Sequence, residues 1–224
     1  EMATLLRTRR WAKGRRAASA AATGGNIVQL ADVGEALGIE WPAYSDETQA
    51  KLDALMPGFG KVSNPTDMTS LATGEPESFR RALQAIADDP SVDTIAPIFA
   101  FNNRVDIERG ADFVRNCGKP AAMLWIGGCL DDDEFGPRDL IAQGVPVYRN
   151  ATPCLRAVRA AADFGAWVAR AKAGVDIPAR PTGVDPSAAR ECLARAGRKL
   201  TEREATAIAA DLRPVMAQHM KRLR

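Results

Sequence analysis

The stretch ATGGNIVQLADV, residues 22–33, decides the fold. An alanine-rich run, RRAASAAA, leads into it and two glycines turn the chain. Ile27, Leu30, Ala31, Val33, Gly34 and Leu37 then recur at helical spacing until Gly38 closes the helix. Alanine is a poor strand former, so the run before the glycines reads as a strand only from its place in front of the turn. Strand, turn and helix are the first half of a βα unit. The turn itself, Thr23-Gly24-Gly25-Asn26, raises the functional question. The first N–H groups of a helix lack internal partners, and the helix dipole makes that end electropositive. A turn without Cβ atoms lets an anion approach those groups. Glycine at such a turn also serves sterics alone, and both readings stand at this point. No GxGxxG and no Walker lysine follows, so neither a dinucleotide nor a P-loop nucleotide is supported.

Outward from this unit the punctuation is regular. SDETQAKLDALM, 45–56, reads as a helix capped by Ser45, with Thr48 where a capping box would carry Glu or Gln, and a Pro-Gly break follows at 57–58. KVSNPTDMT, 61–69, is a short extended piece with a turn. EPESFRRALQAIADDP, 75–90, has an acidic first turn, Pro76 near its start, and Phe79, Leu83 and Ile86 on one face. VDTIAPIFAF, 92–101, is a buried strand in which Pro97 suggests an edge or a bulge. A helix over 105–117, a strand over 120–128, a helix around 134–143, the strand VPVYR at 145–149 and a helix over 153–171 complete the pattern. About five strand–helix alternations predict an α/β fold, a doubly wound parallel sheet covered on both faces. Ligands meet such sheets at the loops leaving the carboxyl ends of the strands, so 23–26, 63–69, 101–104 and 127–133 are expected at one rim. Within them Asn64 and Asp67 are possible rim contacts, or close an Asx turn. After 172 a Pro-, Gly- and Ala-rich linker leads to a helical-looking tail broken at Pro214, too small for a core of its own.

Composition narrows the function classes. With 46% apolar and 26% charged residues the 224-residue chain has an ordinary globular balance, and no run is long enough to span a membrane. Cys117, Cys129, Cys154 and Cys192 form no CxxC pair, and with the lone His219 they argue against zinc. A reducing, cytoplasmic setting is the default. The net charge of +2 calls for no polyanionic partner. The one basic run, RTRRWAKGRR at 7–16, reads as a solvated helix end and linker in preference to a nucleic-acid grip. In WIGGCLDDDE, 125–134, the acids lack EF-hand spacing and are better explained as the acidic start of a helix. Cys129 beside them has no histidine to activate it. Residue 1 is Glu, which points to a processed chain or a piece of a longer one.

The order of these pieces resembles the NDP-forming acyl-CoA synthetases, the relatives of succinyl-CoA synthetase. The residues that carry the resemblance are TGGN opening a helix, GIEWPAYSDETQAKLDALMP, NPTD, FRRALQAIADDPSVDTIAPIF, GKPAAMLWIGG and GVPVYRNATPCLRAVRAAADF. Six segments in the right order match that family's C-terminal CoA-ligase domain. The resemblance implies a flavodoxin-like domain over 15–172, with an N-terminal helix end or linker at 1–14 and a linker and helical tail at 173–224. LTEREA, 200–205, looks like the opening of the ATP-grasp domain of fused members, and residues 206–224 are too few for that domain.

In that family acyl-CoA and phosphate interconvert with acyl phosphate and CoA, and a histidine relays the phosphoryl group to a nucleoside diphosphate. Two helix N-termini from two flavodoxin-like domains hold the phosphohistidine loop. By resemblance Thr23, Gly24, Gly25 and Asn26 would be one of those phosphate-binding ends, with Asn26 adding a donor or blocking the site. This chain lacks the His-Thr-Gly-Ala type motif, the CoA-binding domain and the ATP-grasp domain, so alone it should be inactive. CoA, ATP or ADP and Mg would belong to the complete enzyme. Its partners would be the CoA-binding and ATP-grasp domains or subunits, in a homo- or hetero-oligomer without nucleic acid or membrane. The alternative is a non-catalytic interaction module that kept the fold. Acyl group and nucleotide are not legible here.

Overall fold

The structure is a computed structural model, and it describes residues 2–56, 62–69, 76–100, 103–129, 131–132, 134–174 and 194. The chain divides into two compact units, Glu1–Lys172 and Ala173–Arg224, and every helix and strand named in this section belongs to the first. The expected tail helix, Pro214, His219, Cys192 and the 57–58 break lie outside the described residues.

The elements in chain order are α1 (Met2–Arg7), β1 (Ala17–Ala18), β2 (Ala20–Ala21), α2 (Gly24–Ala36), α3 (Asp46–Leu55), β3 (Thr66–Asp67), α4 (Pro76–Asp88), β4 (Thr94–Ile95), β5 (Ile98–Phe99), α5 (Arg104–Asn116), β6 (Met123–Trp125), α6 (Pro137–Ala142), β7 (Val147–Tyr148) and α7 (Ala151–Lys172). The strand pieces pair in parallel as β1 with β4, β2 with β3, and β5–β6–β7. β1 and β2 flank Ser19, and β4 and β5 flank Ala96-Pro97. Taken as one strand each, they give the order β3, β1/β2, β4/β5, β6, β7. That is the 2-1-3-4-5 order of the flavodoxin-like doubly wound sheet.

Side chains alternate strictly between the faces, as strand geometry requires. Ala18, Ala20, Ile95, Phe99, Met123, Trp125 and Val147 enter one core, with α3, α4, α5 and α6. Ala17, Ala21, Ala96, Ile98, Leu124 and Tyr148 enter the other, with α1, α2 and α7. Both faces are therefore covered. The alanine-rich strand is an interior one, between the edge strand β3 and β4/β5, where small side chains let helices approach on both sides.

Pro97 lies neither at a sheet edge nor in a bulge of an edge strand. It interrupts a central strand, and the ladder resumes because its carbonyl accepts from Leu124 N–H at 3.0 Å. Ala96 N–H, one residue earlier, donates to Ala18 O at 2.8 Å, so only the proline's own missing donor is lost.

Loop 63–69 is not all rim, because β3 lies inside it. Asp67 ends the strand at the carboxyl side. Asn64 precedes it and sits by the start of β1, donating from Nδ2 to Ala17 O at 2.9 Å and Pro42 O at 3.0 Å while accepting from Tyr44 Oη at 3.3 Å. The expected rim position of Asn64 is corrected accordingly: its amide is spent on knitting loops at the amino end.

Residues 7–16 dock onto the body. Arg10 donates to the carbonyls of Val114, Lys119 and Arg115. Arg15 pairs with Asp163, and Arg16 with Asp93 in a two-pronged contact at 2.9 and 2.7 Å. Trp11 packs on Phe164, ring centroids 5.3 Å apart.

Candidate functional site

At the carboxyl rim two helices start from adjacent central strands. α2 leaves β2 through Ala22 and Thr23. Thr23 is extended, with φ −142° and ψ 132°, as an N-cap should be, yet its side chain makes no cap hydrogen bond. The starts of α3 and α5 are capped by side chains. Ser45 Oγ accepts from Thr48 N–H at the start of α3, and Asn103 Oδ1 accepts from Asp106 N–H at 2.9 Å at the start of α5. α6 also lacks a side-chain cap, and there the Asp139 carboxylate reaches back to Gly136 N–H at 2.8 Å. Among the described residues the α2 start thus lacks the side-chain cap that α3 and α5 carry.

The two glycines differ. A Cβ on Gly24 would lie 2.6 Å from Asp67 Oδ2, so this glycine makes room for the Asp67 carboxylate. A Cβ on Gly25 would meet nothing within 4 Å. Internal packing therefore explains Gly24 and leaves Gly25, which is exposed, without a reason inside the domain. Asp67 Oδ1 accepts from Thr69 N–H at 2.8 Å, the Asx turn foreseen for this loop. Val28, just past the first turn of α2, is 61% exposed and places an apolar side chain near the open end.

The acidic run serves a helix other than its own. Asp131 Oδ1 accepts from Arg104 N–H at 2.9 Å, and Asp132 Oδ2 pairs with the Arg104 guanidinium at 2.7 Å. Hydrogen bonds from Arg104 hold the Asp132 carboxyl below its ordinary range. Arg104 also bonds Glu108 and lies 4.6 Å over the Phe135 ring. Sequence reasoning missed Arg104. Its only signal was four acids without a cation between them. Cys129 donates to Asp131 Oδ1 at 3.0 Å, and burial and that carboxylate push the thiol up, which is the opposite of an activated nucleophile. Cys154 is fully buried and pushed up to about 12. Among the described residues no group of His, Cys, Asp or Glu could hold a metal ion, and no helix is long and apolar enough to cross a membrane.

No family model matches the chain. It is 27% identical over 195 residues to an acetate–CoA ligase (ADP-forming) I of Archaeoglobus fulgidus, covering 87% of this chain and 26% of that protein. It is 28% identical over 142 residues to a trans-feruloyl-CoA synthase, FCS1, from an unknown prokaryotic organism, covering 59% of this chain and 20% of that one. The chain thus spans about a quarter or less of the curated relatives it matches. Among solved structures it superposes on PH0766 of Pyrococcus horikoshii OT3 with a TM-score of 0.61 at 23% identity, over 74% of this chain and 39% of that one. The ADP- and phosphate-bound acetyl-coenzyme A synthetase 1 of Ca. Korarchaeum cryptofilum gives 0.61 at 18% identity, over 79% and 38%. These structural likenesses concern the fold.

Proposed function

We propose that this chain, kin to the NDP-forming acyl-CoA synthetases, acts as the CoA-ligase domain of such an enzyme and lends the start of α2 to a phosphohistidine relay. The observation that supports the reading most is the uncapped α2 start with open space at Gly25. A phosphoryl group carried on a histidine outside this chain would be held by the N–H groups of Gly24, Gly25 and Asn26 and by the helix dipole. Thr23 would set the turn. Convergent backbone donors stabilise a doubly charged group without a side-chain cation, and they need no reorganisation when the charge arrives. Asp67, whose carboxylate lies against Gly24, would keep that group on the Gly25 side by charge repulsion. The exposed Val28 suits a surface that another domain covers.

In the complete enzyme the acid, CoA and the nucleotide with its Mg would be held by CoA-binding and ATP-grasp domains or subunits. The reaction would convert acyl-CoA, phosphate and ADP to acid, CoA and ATP, reversibly. The test is CoA- and ATP-dependent thioester formation with this chain joined to those domains, followed together with labelling of the histidine by radioactive ATP. Gly25→Val should suppress labelling while the chain stays folded. Full labelling in that variant would sink the reading.

A further inference from the structure

We infer that α7 and the segment leading into β1 together form a binding surface for single-stranded nucleic acid. The sequence presents the cations of 7–16 as one solvated run, and the structure sorts them into two sets. Arg10, Arg15 and Arg16 are bonded to the body of the domain. Arg7, Arg9 and Lys13 are exposed, and among the described residues their side chains bond nothing. Ala12 is buried, 3% exposed, while Trp11 and Lys13 on either side of it face out. Gly165 of α7 allows this docking, because a Cβ there would collide with Ala12 O. Trp11 thereby lies on Phe164, and Phe164 on Trp167 one turn further along α7, at centroid distances of 5.3 and 5.7 Å. The two outer rings stay open, Trp11 38% and Trp167 61% exposed.

The charge on this side is one-sided. Residues 2–16 and α7 contain ten Lys and Arg against a single acid, Asp163, in a chain whose net charge is only +2. Asp163 is itself bonded by Arg15 and paired with Arg159, so its charge is already offset. Open aromatic faces take unpaired bases by stacking, and cations beside them take the phosphates. A single strand supplies both groups at once. In a duplex the base faces are closed against one another, so only its phosphates would be read. A second copy of this chain would set like charges against like. Two open rings on a charged helix are too little apolar surface to enter a bilayer. No residue of the α2 start takes part, and the inference stands apart from the phosphoryl relay.

The test is fluorescence anisotropy of a labelled oligouridylate, about twelve nucleotides long, with the full chain. The matching RNA duplex, polyglutamate and phosphatidylserine vesicles are measured beside it. Saturable binding of the single strand is expected, with log K falling against log salt at a slope of about −2, as for three phosphate contacts. The duplex should bind about tenfold more weakly. Trp167→Ala, which removes the more exposed ring, should weaken the single strand about tenfold. Arg9→Gln with Lys13→Gln should bring the salt slope to about −0.7. All three positions are exposed, and far-ultraviolet dichroism reports the fold of each variant. Absence of saturable binding, or unchanged affinity in Trp167→Ala, would overturn the assignment. So would a salt slope untouched by the double variant, or duplex, polyglutamate or vesicles bound as tightly as the single strand.

Discussion

The α2 and α5 starts sit at one rim, each following a central strand, and they are built in opposite ways. At α5 the donors are taken: Asn103 bonds Asp106 N–H, Asp131 bonds Arg104 N–H, and Arg104 clamps Asp132. At α2 the N-cap side chain bonds nothing, and one of two glycines faces open space. The α5 start is closed by its own neighbours. One left open forgoes about 1 kcal/mol of capping, and that loss is repaid where a ligand supplies the acceptor.

The largest effect should come from filling the open end. Gly25→Val should lower phosphoryl transfer by about 10²–10³-fold in the complete enzyme, comparable to losing an oxyanion donor. The melting temperature of the chain should hardly move, since nothing lies within 4 Å of that Cβ. A large stability loss with unchanged transfer would reverse the comparison.

Next in size is a start buttressed from outside its helix. Asp89 accepts from Ser45 N–H and Oγ at the start of α3 and from Ser91 N–H. Burial alone would raise its carboxyl, but these hydrogen bonds prevail and hold it at about 2. Its stabilisation is present above the ordinary carboxylate range and is lost as pH falls from there through about 2. Urea unfolding against pH should show this loss, on the order of 2 kcal/mol. Asp89→Asn should flatten that part of the curve.

Removing the closed cap, Asn103→Ala, should cost about 1 kcal/mol in denaturant unfolding and leave any phosphate-induced shifts of the Gly24, Gly25 and Asn26 amides unchanged. The smallest and most diagnostic change makes α2 resemble α5. Thr23→Asp should stabilise the chain by about 0.5 kcal/mol and abolish those amide shifts in a phosphate titration. If the shifts persist, the open end is not where the anion sits.

Much of this was legible in the residues. The helix expected over 75–90 is observed at Pro76–Asp88, and that over 105–117 at Arg104–Asn116, because their apolar faces repeat at 3.6. Strands came out shorter than expected. The 92–101 run is two dipeptides around Pro97, and 120–128 reduces to Met123–Trp125, since hydropathy marks burial and not ladder hydrogen bonds. The site divides the same way. TGGN announced a glycine turn, and nothing in it distinguished Gly24, which accommodates Asp67, from Gly25, which accommodates nothing in the domain. Asn64 and Asp67 stand three residues apart, yet a strand between them sends one to each end of the sheet.

Periodicity and the order of apolar runs were enough for a doubly wound sheet, because these are local properties, whereas the glycines expected as a turn before the helix at Ile27 are the first two residues of α2 itself. Which donors stay unclaimed, which acids close which helix, and that Phe79, Phe99 and Phe113 meet over a glycine depend on residues brought together across the sheet. The chain's neighbours in sequence do not carry that information. Only packing assigns each polar group its partner, and the groups left without one mark where a ligand has room.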